Sequence, residues 1–139
     1  MNTKQKQAWE TVRPFMNQGE FHALLTGARS EEKQFFFDKV AELAETITTM
    51  PKTYEQDGKG EAAIAYLHYF RGNQNWWITE KDVGTADEPG QHQAFGLADL
   101  GYGGELGYIS IVELVKAGVE LDLYFKPQTL GEIRAKKAA

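Results

Sequence analysis

The run from Phe95 to Phe125, FGLADLGYGGELGYISIVELVKAGVELDLYF, constrains the fold more than any other part of the chain. Ala94 to Leu100 reads as a strand, Gly101-Tyr102-Gly103-Gly104 as a turn, and Glu105 to Ile109 as the returning strand. Ser110-Ile111-Val112-Glu113 fits a capping box, in which the serine accepts an amide bond and the glutamate reaches back to the cap's own amide. A helix over Ile111 to Ala117 then stops at Gly118, which takes the left-handed conformation without a Cβ penalty. Beyond it Val119, Leu121, Leu123 and Phe125 alternate with Glu120, Asp122, Tyr124 and Lys126, which predicts a strand buried on one face. The link from Ile109 to Val119 is shorter than the roughly twelve residues a parallel crossover needs. A doubly wound nucleotide-binding sheet is disfavoured on that ground.

Upstream, Ala63 to Phe70 and Asn75 to Glu80 carry strand chemistry, and Arg71-Gly72-Asn73-Gln74 joins them as a hairpin. Lys81 to Gln93 is polar and reads as a mobile connecting loop, and Lys52 to Glu61 as an exposed one. The first part of the chain is helical in pattern. Ala8, Trp9, Val12 and Met16 make one apolar stripe, which Pro14 must end, kink or reopen. Phe36, Val40, Leu43, Ala44 and Ile47 make another, with Ser30 as its expected N-cap and Pro51 as its stop. Thr129 and Glu132 predict a last short helix. The expected architecture is α+β: N-terminal helices packed on a mostly antiparallel sheet of about five strands, with one short inserted helix. The chain reads as a single domain over residues 1–139, helical over 1–51 and sheet-forming over 62–127.

Composition removes several function classes. There is no cysteine, so thiolate nucleophiles, disulfides and cysteine-ligated metals are excluded. No stretch approaches the roughly 18 apolar residues of a membrane span, and the first residues lack the apolar core of a secretory signal. The expected compartment is the cytoplasm. A net charge of −5, from 15 basic and 20 acidic residues, argues against binding to phosphate backbones.

The motifs Trp77-Ile78-Thr79-Glu80, Phe95-Gly96-Leu97, Asp99-Leu100-Gly101 and Glu105-Leu106-Gly107-Tyr108-Ile109-Ser110 stand in this order, followed by Val112-Glu113-Leu114 and Asp122-Leu123-Tyr124-Phe125. Together they resemble the family of small bacterial proteins catalogued as domain of unknown function 2958. The resemblance spans Trp77 to Pro127, and the helix after Ser30 reads as an addition to it. Leu121 stands where the family pattern has a basic residue before the aspartate. The resemblance implies a plasmid or mobile-element setting and no activity, cofactor or catalytic residue.

The candidate chemistry is sparse. The glycines around Tyr102 match neither a dinucleotide fingerprint nor a phosphate loop. His22, His68 and His92 lie far apart, a metal site would have to draw on His68, Glu80 and Asp82 from neighbouring strands, and no metal or other cofactor is expected. Glu80, Asp99, Glu105 and Asp122 lie in or beside strands, and an acid–base pair needs at least two of them to converge. The strands also carry more aromatic residues than one core face needs. The leading expectation is a non-enzymatic binding module for a protein partner, with Trp76, Trp77, Glu80, Tyr102, Glu105, Tyr108 and Asp122 as candidate binding residues. The alternatives are a small carboxylate-dependent hydrolase or transferase, and a single-stranded nucleic-acid binder. A homodimer through one sheet face stays open.

Overall fold

A computed structural model describes residues 1–138, and the α+β architecture is the one the sequence predicts. Helix α1 (Thr3–Val12) opens with a capping box, the Asn2 side chain accepting the Gln5 amide while the Gln5 side chain accepts the Asn2 amide. Pro14 ends it and starts a single 3-10 turn, Arg13–Phe15. Helix α2 (Gln18–Gly27) follows at once, capped by Asn17, whose Oδ1 accepts the Glu20 amide at 2.8 Å. Its two terminal glycines hide it from sequence patterning.

Helix α3 (Lys33–Thr49) buries Val40, Ala44 and Ile47 along the expected stripe and stops before Pro51. Its start differs from expectation. Ser30 does not cap it: the hydroxyl donates to Gly27 O at 2.6 Å and accepts the Glu32 amide at 3.1 Å. Those two bonds close a turn between α2 and α3, and α3 begins after it without a side-chain cap.

The sheet contains β2 (Leu67–Arg71), β3 (Gln74–Glu80), β4 (Ala94–Asp99), β5 (Gly104–Ile109) and β6 (Glu120–Leu121), in the order β5-β4-β3-β2-β6. Every pairing in it is antiparallel. Two expected strands are shorter than their patterns. The stretch from Ala63 splits at Tyr66, and β1 (Ile64–Ala65) leaves the sheet to pair with β7 (Gln128–Thr129). The strand expected over Val119 to Phe125 ends at Leu121, because Asp122 Oδ1 accepts the Tyr124 amide at 3.0 Å and turns the chain. Helix α4 (Ile111–Lys116) starts and stops where expected, with Ser110 Oγ accepting the Glu113 amide and Gly118 at φ +78 after its end, but only the serine half of the expected capping box forms among the described residues.

The sheet is covered on both faces. Leu67, Tyr69, Ile78 and Ile109 meet Trp9, Val12, Phe15, Leu24, Val40 and Ile47 from the N-terminal helices in the main core. On the other face Trp77 and Leu97 pack with Ala63, Ala65, Leu130 and Ile133, the last two from helix α5 (Leu130–Ala138). Thr129 and Glu132 cap α5 reciprocally, as expected. Because α5 covers only part of its face, the side toward β5 stays open, and that opening locates the site.

Candidate functional site

The register of β3 on β4 slips between Ile78 and Glu80, a bulge that leaves Thr79 without a partner and sets Glu80 opposite Phe95. Glu80 is 3% exposed. One of its oxygens accepts the amides of Tyr54 (3.1 Å) and Gln56 (3.3 Å), and the other accepts the Thr79 hydroxyl. A buried carboxylate needs such donors, because each unsatisfied lone pair costs about 1–3 kcal/mol. Glu80 thereby organises the segment read from sequence as an exposed loop. Tyr54 is held at φ +78, a conformation that a bulky residue adopts only under constraint. Gln56 is buried and works as an extra rung between strands: Nε2 donates to Ile64 O and Thr79 O, both at 2.8 Å, and Oε1 accepts the Ile64 amide at 2.7 Å. The expectation of an exposed loop fails at this residue because its amide supplies both a donor and an acceptor to backbone left unpaired by the bulge.

Between this loop and the sheet lies a cleft of about 500 Å³. Glu80 and Thr79 form its floor, Phe95, Leu106, Tyr108 and Leu130 its walls, and Tyr54, Asp57 and Gly58 its lip. Tyr54 and Tyr108 meet edge to face at 6.5 Å, and their hydroxyls are hydrogen-bonded at 2.5 Å. Phe95 meets Tyr108 edge to face at 5.7 Å. The Tyr108 phenol is held above its ordinary range, first by the hydrogen bond it shares with Tyr54, then by desolvation and by the charges of Tyr54 and Asp57.

The cleft opens beside the free edge of the sheet. Strand β5 pairs only with β4, and Leu106 and Tyr108 on its cleft-facing side are 47% and 55% exposed. Natural edges are usually shortened, charged or covered. Here the far edge is only two residues long, whereas β5 runs for six and carries one charged residue, Glu105.

The candidate residues from sequence divide among four places. Glu80 and Tyr108 come together in the cleft. Trp77, 6% exposed, is a core residue and offers no surface to a partner. It stacks on His68 at 5.1 Å, and His68 Nδ1 donates to Asp122 Oδ2 at 3.0 Å while Nε2 lies 2.8 Å from Asn75 Oδ1. Trp76 is half-buried on the opposite face against the helical core. Tyr102, 96% exposed, sits at the β4–β5 turn, and Glu105 points from β5 to the helix side. Sequence reading missed Tyr54, Gln56 and Asp57, and the His68–Asp122 pair. An aromatic residue inside an otherwise polar loop was the available signal for the first group.

The acids a hydrolase would need together are held apart. Asp99 lies opposite Asn75 and Glu80 opposite Phe95, a separation of about 13 Å along β4 at the rise of a strand. Asp99 accepts the Gly101 and Gly103 amides and pairs with Lys137, which holds its carboxyl below the usual range. Asp122 is committed to His68 and the Tyr124 amide. The residues suggested for a metal are also apart, since the partners of His68 are Asp122 and Asn75, and no group of three His, Asp or Glu side chains among the described residues is placed to hold an ion. No described helix is long and apolar enough to cross a membrane.

Comparison with curated proteins and with solved structures returns no match. A family model does match, over residues 37–138, and so begins inside α3 and takes in the cleft, the β5 edge and α5. The helix after Ser30, expected as an addition, therefore lies mostly within the family pattern, and α1, the 3-10 turn, α2 and the start of α3 lie outside it. The chain belongs to the family described as protein of unknown function (DUF2958).

Proposed function

We propose that the protein is a non-enzymatic binding module that takes up an extended segment of a partner protein along β5. The carrying observation is the unpaired six-residue edge with Leu106 and Tyr108 half exposed beside a preformed cleft. An extended peptide laid on that edge gains main-chain hydrogen bonds, and alternate side chains fall on the cleft side. The dispersal of Glu80, Asp99, Glu105 and Asp122 leaves the hydrolase alternative without the acid pair it was expected to use. The acids of the adjoining cleft, Asp57 and Glu80, argue against a phosphate backbone as occupant. Within this reading the mobile-element setting implied by the resemblance guides the choice of partners.

The test is selection of displayed random peptides on the protein, followed by amide chemical-shift mapping and affinity measurement on Leu106→Glu and Tyr108→Ala. Both positions are exposed, so the fold is expected to survive, which melting curves check. Selected peptides should perturb the β5 amides and lose about tenfold or more in affinity on both variants. Peptides that bind with shifts elsewhere, or equally well to both variants, overturn the reading.

A further inference from the structure

The cleft brings together acids and aromatic faces with no cation of its own. At two other places where an acid and an aromatic face adjoin, a lysine sits between them. Lys137 pairs with Asp99 and places its ammonium 5.2 Å from the centre of the Trp77 ring. Lys39 lies 3.7 Å from Glu42 and 4.9 Å from the centre of the Tyr124 ring. The cleft has the same ingredients in greater number: three aromatic rings, Tyr54, Phe95 and Tyr108, with the carboxylates of Asp57 and Glu80. Its lining contains no Lys, Arg or His, and neither acid makes an ion pair among the described residues.

The geometry suits a cation. Tyr54 and Phe95 each stand nearly perpendicular to Tyr108, at 86° in both cases, so the rings form corners rather than a flat stack. Ring faces attract a positive charge through the quadrupole, and several faces around one volume are the usual cage for alkylammonium groups. Of the two hydroxyls joined at 2.5 Å, one donates and both keep lone pairs free to accept from an N–H group. Asp57 lies close enough to Tyr108 for its charge to be felt by the phenol. Glu80 is fixed by two backbone amides and the Thr79 hydroxyl, none of them a cation.

We propose that this cleft is a binding site for an organic cation of the alkylammonium class, a lysine side chain of the docked segment or a free quaternary amine, held between the Tyr54–Phe95–Tyr108 rings and the Asp57 and Glu80 carboxylates. The lysine source rests on the strand-docking reading above; the free-amine source does not. A lysine side chain projecting from a strand on β5 carries its stem over Leu106 and its ammonium toward the acids, which uses both halves of that residue.

The experiment compares matched probes at low salt by calorimetry and amide shift mapping. Choline is set against 3,3-dimethylbutan-1-ol, its neutral isostere, and a β5-binding peptide containing lysine against the same peptide with norleucine. At least one cationic probe should bind about tenfold tighter than its neutral partner, with shifts at Tyr54, Phe95 and Tyr108. Tyr108→Leu and Asp57→Asn should each erode that preference, while Tyr108→Phe keeps it. Equal binding of cation and isostere in both pairs, a preference unchanged in Tyr108→Leu and Asp57→Asn, or no binding by either cationic probe at about 10 mM overturns the inference. Peptides that dock on β5 with lysine and norleucine alike sink the lysine source and leave strand docking standing. A choline preference without any peptide on β5 keeps the cation site for a free amine and removes strand docking and, with it, the lysine source.

Discussion

Glu20 offers the sharpest quantitative test of how the two halves of the chain are joined. It sits in the first turn of α2, and its Oε1 accepts the Leu121 amide of β6 at 2.8 Å, while Asn17 Nδ2 donates to the same oxygen and to Val119 O. Burial against the sheet lifts its carboxyl from 4.5 to about 7, against the downward pull of the Leu121 amide and with help from the charge of Glu120. The sign follows from proton counting. Between these values the folded state holds a proton that the unfolded state has lost, so stability falls as pH rises. The contribution is fully present below the unfolded value of 4.5 and is lost as pH passes through about 7.

The full span corresponds to about 3.4 kcal/mol at 1.36 kcal/mol per pH unit. Glu20 is only half-buried, and solvent screening reduces this to about 1.5 kcal/mol. Glutamine keeps the oxygen that Leu121 and Asn17 use and never ionises. Glu20→Gln should therefore gain on the parent as pH rises, with part of the advantage already present at pH 5 and about 1.5 kcal/mol at pH 8, or about 5 °C in Tm for a chain of this length. The difference between parent and variant isolates Glu20 from Asp99, Glu42 and Glu132. Those three are held below the ordinary range by Lys137, Lys126 and the Thr129 amide respectively, so their stabilisation is present above the unfolded value and fades in acid. Urea melts at both pH values decide the matter. A variant whose advantage is the same at pH 5 and pH 8, or larger at pH 5, refutes the assignment.

Three further substitutions probe the elements that place the site. A Cβ at Gly96 would fall 1.9 Å from Trp77 O across the β3–β4 ladder, so Gly96→Ala should cost about 3 kcal/mol in urea melts; a cost below about 1 kcal/mol contradicts this close approach. Asp122→Ala removes the partner of His68 Nδ1 and the acceptor for the Tyr124 amide, for an expected loss of about 2 kcal/mol, and a neutral result would show the turn after β6 to be held by other contacts. Lys81 donates to Ile47 O at 2.6 Å and Thr48 O at 3.3 Å at the end of α3, so Lys81→Met should lower stability by about 1 kcal/mol and speed amide exchange in the last turn of α3; unchanged exchange there would remove Lys81 as its cap.

The division between what was legible in the residues and what was not follows the range of the forces. Val40, Ala44 and Ile47, the Ser110 cap and the Gly118 stop are local devices, each complete within a turn or two of chain, and each is found where its pattern puts it. Of Glu105, Tyr108 and Asp122, the polar residues of the Phe95–Phe125 run that turns and caps do not require, only Tyr108 reaches the cleft, where it meets the candidate Glu80; Glu105 faces the helix side and Asp122 pairs with His68. The residues that make the cleft a site were hidden by tertiary compensation. The bulge at Thr79 leaves backbone groups of β3 unpaired, and Gln56, from a segment as polar as any loop, satisfies them. Glu80 then fixes Tyr54 in a left-handed conformation through its amide, which sets the Tyr54 ring against Tyr108. The chain of cause runs from one extra residue in a strand to an aromatic corner some twenty-five positions earlier in sequence. No periodicity of 2 or 3.6 residues records such a link. Substituting Gln56 should therefore disturb the cleft more than substituting the exposed Glu55 beside it, although a loop reading of the sequence ranks the two alike.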